Sequence, residues 1–297
     1  MSRSLEELKA NDPLRMAGAT AFFTTFALPA ILIILIQLFG LFVDPRKIGS
    51  DLIERLANVL GNTSAMQIKI TLEGFRSLSQ NWYVTIFGFL FLMFVATTLF
   101  AVIKNSLNQI WSIRVRPHPG MVFNLKNRAR SLVIIILAGL LFLAGLFIEG
   151  FQSVVADYLK EIWHDGAVYF IWAINEMVFV IIVTIWFTNL FRFLTAGKPK
   201  FSHALGGGFF TAILFTLGKI ILRYLMGYSN VNSIFGASGS MVLILLFVFY
   251  SSIIFYYGGC FVKVLSEEYH APIKPVKEAF AFEVLEVEPD SPHSKQP

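Results

Sequence analysis

Six long apolar segments limit most strongly what this chain can fold into. They cover approximately residues 14–43, 82–103, 131–150, 167–193, 202–226 and 241–265. A helix needs about 20 consecutive apolar residues to cross the hydrocarbon core of a bilayer, and each segment reaches that length. None of the segments alternates apolar and polar residues as membrane β-strands do. The sequence therefore predicts an all-α, polytopic membrane protein with six transmembrane helices.

Composition supports a lipid bilayer as the solvent of this chain. Hydrophobic residues make up 56% of the 297 residues and charged residues only 14%, which is about half the usual charged share of a soluble domain. A soluble core of this size could not bury so much apolar surface. The single cysteine, Cys260, lies in an apolar segment and excludes an internal disulfide framework.

Lysine and arginine residues between the segments predict the orientation. The stretch 104–130 carries six basic and no acidic residues, and 192–200 carries three basic and no acidic residues. The stretch 149–166 instead holds four acidic residues and one lysine. Because short cytoplasmic loops are enriched in Lys and Arg, the first two stretches are expected inside and the third outside, with both termini cytoplasmic. This pattern accounts for most of the net charge of +5, so we expect no nucleic-acid partner.

Two regions outside the segments have patterns of their own. Residues 44–81 space apolar side chains at helical intervals between charged ones, which predicts an amphipathic helix on the outer surface. Residues 270–297 contain five prolines and mixed charge, which predicts a disordered cytoplasmic tail after a transmembrane domain of residues 1–269. Within this tail AFAFEVLEVE alternates apolar and polar residues, and the alternative is a strand that docks on a partner.

Three stretches match a known pattern in order and spacing over most of the chain. They are NDPLRMAGATAFFTTFALPAILIILI at 11–36, LNQIWSIRVRP at 107–117, and the region from TAILFTLGKIILRYLMGY to residue 269. Together they resemble the YihY/BrkB family of bacterial inner-membrane proteins, once labelled ribonuclease BN. The resemblance implies a six-helix protein of the bacterial inner (plasma) membrane without settled chemistry, and the nuclease label is regarded as mistaken. It also implies a transport role, with lipid-like or osmolyte-type substrates suggested for some members.

Two positions depart from the pattern of that family. Many members have a glutamate where this chain has Thr216. Many also have a glutamate in a Gly-Ala-Glu sequence where this chain reads Gly258, Gly259 and Cys260. Proton coupling by those two carboxylates is therefore not expected here.

Lys219 and Arg223 place two cations on one face of the fifth segment. Arg223 lies near the predicted outer edge, from which its side chain can reach lipid headgroups. Lys219 lies about 12 Å deep by helical rise. An unpaired charge at the membrane midplane costs from about 3 to above 10 kcal/mol. Glu176 is the one acidic residue well inside a segment, at a similar depth in the neighbouring fourth segment, so we expect a Glu176–Lys219 contact with Asn175 and Asn189 nearby.

The role of this pair has two interpretations. It either holds two helices in register, or it lines a polar substrate pathway together with Arg223 and Asn175. Pro29 interrupts the first segment and clashes with the carbonyl of Thr25, four residues earlier. Broken helices are where transporters place their sites, so Pro29 and Thr25 join the hypothetical pathway, with a simple kink as the alternative.

A second hypothesis concerns the cytoplasmic side of the bundle. Arg15 follows Asp12 and Pro13, which are typical of a helix start. One layer of the predicted bundle then contains Arg15, Lys104, Asn105 and Asn108. These four residues could form an inner gate or a site for anionic lipid headgroups.

Enzyme chemistry has little support in the residues. The five histidines lack metal-ligand spacing, and no acidic pair inside a segment suggests a two-metal site. We therefore expect no catalytic residue, no metal and no cofactor. The pattern favours a transporter or flippase-like carrier for an anionic solute or lipid headgroup. The alternative is a non-transporting membrane scaffold or envelope-integrity protein, and a nuclease is the third and least supported class.

Overall fold

Long helices make up most of the described chain. The computed structural model describes residues 2–39, 45–60, 62–77, 82–116, 125, 128–141, 144–145, 167–228 and 239–283. The helices are α1 Ser2–Ala10, α2 Pro13–Phe39, α3 Pro45–Leu60, α4 Asn62–Ser77, α5 Trp82–Ile110, α6 128–141, α7 Ala167–Asn189, α8 Phe201–Tyr228 and α9 Gly239–Glu268. A π-helical turn, Leu190–Leu194, extends α7. The strands are β1 Ile113–Val115, β2 Gly197–Lys198, β3 Lys274–Pro275 and β4 Ala279–Ala281.

Five helices in the described ranges are long and apolar enough to cross a membrane. The spans are Pro13–Ile36 in α2, Ile86–Ile110 in α5, Ala173–Leu194 in α7 with its π turn, Phe201–Ile221 in α8 and Val242–Glu268 in α9. They confirm the all-α polytopic class. The third predicted segment, 131–150, coincides with α6 in its first part, and 142–143 and 146–150 lie outside the described residues. The count of six spans and the placement of both termini therefore stay predictions.

Helix α9 packs between the α2–α5 pair and the α7–α8 pair of the bundle. It packs against α2 and against α8, while α2 also packs on α5 and α7 packs along α8. Lipid tails are as apolar as the helices, so helix association in a membrane depends on close packing at small residues. A Cβ on Gly207 would lie 2.1 Å from Cγ2 of Val262, and a Cβ on Gly208 would lie 2.3 Å from Oγ1 of Thr188. Glycines thus let α8 approach both α9 and α7 closely.

At one end of the bundle, the segments that follow α5, α7 and α9 pair in two short antiparallel β-ladders. We call this region the strand clasp (residues 112–116, 196–198 and 271–283). Strand β1 pairs with β4, with Arg114 opposite Phe280. Strand β2 pairs with β3, with Lys198 opposite Lys274. The chain after α9 therefore ties together the segments that follow α5 and α7.

The strand clasp corrects the expectation of disorder for residues 271–283. Residues 274–275 and 279–281 form strands, and Ala271 and Ala279 are buried. The backbone groups that follow α5 and α7 need hydrogen-bond partners. The alternating stretch supplies them after α5, and residues 274–276 supply them after α7. The strand of AFAFEVLEVE thus pairs within its own chain. Residues 284–297 lie outside the described residues.

The first predicted outer loop contains two helices where the sequence indicated one. Helices α3 and α4 pack on each other and contact α2, α8 and α9. Because α2 begins beside the strand clasp and leads into α3, this helical hairpin lies at the opposite end of the bundle. Apolar residues recur at helical spacing in α3 and form one apolar face opposite a polar face, as expected for a helix on the surface of the bundle.

Candidate functional site

Lys219 and Glu176 form an ion pair between α8 and α7. Nζ of Lys219 lies 3.2 Å from Oε1 and 3.1 Å from Oε2 of Glu176, so both carboxylate oxygens accept from the ammonium. The two helices are antiparallel and pack along their length, which places these positions side by side. The contact predicted from the sequence is therefore confirmed.

The ammonium of this pair is buried and the carboxylate is partly open. The Lys219 side chain is 7% exposed and the Glu176 side chain is 26% exposed. Nζ of Lys219 also lies 3.8 Å from the centroid of the Phe179 ring, which is a cation–π contact. Phe179 in turn stacks on Phe215 of α8, with 6.4 Å between the ring centroids. The carboxylate is therefore the more exposed of the two charged groups.

The pair lies in the half of the bundle away from the strand clasp. Lys219 is about 27 Å along α8 from Phe201 and about 13 Å from Tyr228, at 1.5 Å per residue. Removing two charges from water is expensive, and an apolar pair of similar volume often stabilises a protein equally well. Helix packing alone therefore does not require charges at these two positions.

The residues predicted to surround this pair lie at different distances from it along α7 and α8. Asn175 is exposed and precedes Glu176 on α7. Arg223 follows Lys219 by one helical turn on α8, and its side chain lies outside the described residues. Nδ2 of Asn189 donates to the carbonyl of Ile185 over 2.8 Å, more than three turns from Glu176. Asn175 is thus adjacent to Glu176 along α7, whereas Asn189 is remote from the pair.

Pro29 and Thr25 lie on a different part of the bundle. Helix α2 continues through Pro29 as one helix and packs on α5 and α9. The Thr25 hydroxyl donates to the carbonyl of Ala21 over 2.9 Å, so it does not satisfy the carbonyl that Pro29 frees. Among the described hydrogen bonds and ion pairs, none joins Pro29 or Thr25 to Glu176 or Lys219. The predicted pathway therefore divides into two locations.

The four residues of the predicted inner gate lie on α2 and α5, in the half of the bundle that contains the strand clasp. Nη2 of Arg15 donates to Oε1 of Gln109 over 3.1 Å and thereby links α2 to α5. Oδ1 of Asn108 accepts from the Ala196 amide over 3.0 Å. Lys104 is half-buried and Asn105 is exposed on α5. Arg15 and Asn108 thus have structural contacts of their own.

A buried pair of hydroxyl groups was missed at the level of the sequence. Oγ1 of Thr20 on α2 lies 2.6 Å from Oη of Tyr256 on α9, and the same Thr20 oxygen donates to the Met16 carbonyl over 2.9 Å. Because Thr20 has one hydroxyl hydrogen, Tyr256 is the donor in their shared bond. No spacing rule connects positions so far apart in the chain.

Two ion pairs between α1 and α9 were also missed. Nζ of Lys263 contacts Oε1 of Glu7, and Nη2 of Arg3 lies 3.3 Å from Oε2 of Glu267. They attach the N-terminal helix to the end of α9 beside the strand clasp. The only sequence signal for α1 was its mixed charge.

Metal-ligating side chains are dispersed in the part of the chain that the structure describes. No group of three or more His, Cys, Asp or Glu residues there is placed to hold a metal ion. Nδ1 of His203 lies 3.2 Å from Oγ of Ser266, and Cys260 is buried in α9. Both residues therefore serve helix packing.

Comparison with known proteins extends these observations. The sequence profile of the family described as Virulence factor BrkB matches residues 4–281. A UPF0761 membrane protein of Azoarcus is 26% identical over 88% of this chain and 62% of its own length. A second, from Glaesserella parasuis, is 26% identical over 59% of this chain and 60% of its own length. A third, from Haemophilus influenzae, is 23% identical over 85% of this chain and 90% of its own length.

The coverage differs between these relatives. The chain spans about three fifths of the length of the Azoarcus and Glaesserella proteins and nine tenths of the Haemophilus protein. The names of these relatives describe membrane proteins and give no activity. No solved structure matches the chain.

Proposed function

Because this chain belongs to the BrkB family of membrane proteins, we propose that it is a carrier for an anionic solute or an anionic lipid headgroup. The observation that carries this proposal is the buried ammonium of Lys219, held by Glu176 inside apolar helices. Ionisable residues within membrane spans are rare and commonly mark substrate or ion pathways. The chain is a multi-pass membrane protein, and its bacterial relatives are consistent with the inner membrane.

The ion pair has the chemistry of an exchange site. The ammonium has three N–H donors and is fixed against Phe179, whereas the carboxylate is the more exposed partner. A carboxylate or phosphate group that enters from the Glu176 side would replace Glu176 as the acceptor of these charge-assisted hydrogen bonds. Glu176 would then turn toward water. Release of the anion would restore the original pair without leaving a buried charge unpaired.

The remaining residues of the predicted pathway receive supporting roles in this proposal. Arg223 lies one turn nearer the far end of α8 and would be the first cation that an incoming anion meets. Asn175 would donate a hydrogen bond beside Glu176. Pro29 and Thr25 would not contact the anion, and their proposed role is to let α2 bend against α9 during the transport cycle.

The positive-inside rule gives the orientation of the protein in the membrane for this proposal. Arg114 and Arg116 follow α5, and Lys198 and Lys200 follow α7, so the strand clasp carries the basic loops. We therefore assign the strand clasp to the cytoplasm and the α3–α4 hairpin to the outside. In this orientation the ion pair is nearer the outer surface.

Reconstitution in liposomes tests this function. Purified protein is incorporated into vesicles, and two readouts are taken: efflux of small organic and inorganic anions, and scrambling of headgroup-labelled anionic lipids. We expect one of these to exceed the rate in protein-free vesicles and in vesicles with a Lys219→Met variant. A Lys69→Met variant is the matched control, because Lys69 is an exposed lysine on α4 outside the ion pair.

The alternative class, a membrane scaffold, gives a different outcome. In that case the folded wild-type protein would accelerate neither anion efflux nor lipid scrambling. Equal rates for the wild-type and Lys219→Met proteins would likewise overturn the proposed role of the ion pair.

A further inference from the structure

Three lysines form a patch on the exposed side of the strand clasp. The ladder of β2 and β3 puts Lys198 directly opposite Lys274, and such residues share a face of the ladder. Burial alternates from Gly197 to Lys200, with Gly197 and Pro199 buried and Lys198 and Lys200 exposed. Lys200 is therefore a second exposed lysine two residues after Lys198, at the point where the chain leaves β2 and enters α8. We call Lys198, Lys200 and Lys274 the lysine patch.

The backbone beneath the lysine patch is held in place. The Ala196 amide donates to Oδ1 of Asn108 over 3.0 Å, and the Ala196 carbonyl accepts from the Val276 amide over 2.9 Å. A Cβ on Gly197 would lie 2.6 Å from Cδ1 of Ile113, so this position fits only glycine without rearrangement. The positions of the three lysine backbones are thus set by the fold.

The described residues place no carboxylate in ion-pair contact with the lysine patch. Among those residues none of the three lysines forms an ion pair. Like charges directly opposite each other in a ladder are destabilising. An anion bound between the ammonium groups would remove this repulsion.

The lysine patch lies where a lipid headgroup would be. Lys200 immediately precedes Phe201, the first residue of the span Phe201–Ile221. From that residue, exposed apolar side chains recur every fourth position along α8. This stripe consists of Phe201, Leu205, Phe209, Ile213 and Leu217. A lipid whose acyl chain lies along the stripe has its phosphate at the level of the lysine patch.

We propose that the lysine patch binds the phosphate of an anionic phospholipid whose acyl chain packs on the exposed stripe of α8. This site is separate from the Glu176–Lys219 pair and does not depend on transport. It also differs from the predicted gate of Arg15, Lys104, Asn105 and Asn108, because its residues come from β2, β3 and the residue that precedes α8. Each lysine near an anionic surface strengthens binding by about fivefold.

Lipid binding by the purified full-length chain tests the proposal. The protein is placed in nanodiscs of phosphatidylcholine with increasing phosphatidylglycerol, and preferential lipid contact is measured with a spin-labelled phosphatidylglycerol. The triple variant Lys198→Gln/Lys200→Gln/Lys274→Gln is compared with Lys9→Gln/Arg116→Gln/Lys277→Gln. The control removes three exposed cations from the same end of the bundle. The variant Lys198→Arg/Lys200→Arg/Lys274→Arg retains the charges.

The proposal predicts a different loss of lipid affinity for each variant. The glutamine variant of the lysine patch should lose on the order of 100-fold in apparent affinity for phosphatidylglycerol, because its three ammonium groups face the bound phosphate at about fivefold each. The control removes cations that do not face this phosphate, so its loss should be at least about tenfold smaller, and the arginine variant should stay within a few-fold of wild type. Equal losses in the patch variant and the control would show diffuse charge attraction and overturn the site. Unchanged affinity in the patch variant would also overturn it. Competition by inorganic phosphate at concentrations similar to the lipid would contradict the role of the acyl chain.

Discussion

Glu176 and Phe179 both contact the Lys219 ammonium. Because Glu176 occupies the acceptor position that the transported anion would take, its carboxylate should compete with that anion. Glu176→Gln keeps the cation but removes the competing carboxylate, which is worth roughly 1.5–3 kcal/mol as a charge-assisted acceptor. We expect the variant to be less stable without ligand and to bind the transported anion at least about tenfold more tightly. The concentration dependence of flux and of thermal stabilisation by the anion measures this.

The control for that substitution is Glu73→Gln. Glu73 lies within 4.0 Å of Lys69 in an exposed pair on α4, so its loss should change neither flux nor stability noticeably. Weaker anion binding by Glu176→Gln would show that the carboxylate helps to hold the substrate instead of competing with it.

Tyr256 provides a second prediction at the level of one residue. Tyr256→Phe removes the hydrogen bond to Thr20 from a fully buried interface between α9 and α2. We expect a loss of about 1–2 kcal/mol, because Thr20 keeps its bond to the Met16 carbonyl while the buried Ser106 hydroxyl also loses Tyr256 as a partner. Tyr269→Phe is the control, since Tyr269 is exposed. Thermal unfolding in detergent should show a midpoint lower by a few degrees for Tyr256→Phe alone.

At the scale of the elements, the approach of α8 to α7 depends on Gly208. A Cβ there would lie 2.3 Å from Oγ1 of Thr188 and 2.9 Å from the carbonyl oxygen of Thr184. Gly208→Ala should therefore separate the helices and destabilise the protein by about 1–3 kcal/mol. Gly18→Ala on α2 meets nothing within 4 Å and should be neutral or slightly stabilising. Equal unfolding midpoints for the two variants would show that this contact does not set the helix spacing.

The sequence predicted the helices better than it predicted the strands. The lengths of the apolar segments and the charged residues between them locate α7 and α8 in the sequence. The short connection between these helices makes them neighbours, so the Glu176–Lys219 contact could be anticipated. The pairing of β1 with β4 joins residues 113–115 to 279–281. Such short strands have no local signal strong enough to identify a partner more than 160 positions away. Thr20 and Tyr256 were missed for the same reason.

At the scale of the whole molecule, the two ends of the bundle are predicted to face opposite sides of the membrane. In a Cys260→Ala background, Lys277→Cys in the strand clasp should react with a membrane-impermeant thiol reagent only after the membrane is opened. Lys69→Cys on α4 should react in cells whose outer membrane has been permeabilised. The unmodified chain is the control, because Cys260 is buried. Labelling of both positions from the same side would contradict the assigned orientation.

The central claim is that the buried ammonium of Lys219 binds the transported anion. Its most direct test is the transport rate in liposomes of the size-matched neutral pair Glu176→Gln/Lys219→Met. Because this variant leaves no buried charge unpaired, it should fold and unfold as wild type does. We predict normal thermal unfolding and a transport rate at least about tenfold lower, corresponding to roughly 1.4 kcal/mol or more of lost anion binding. Transport at the wild-type rate by this folded variant would contradict the claim.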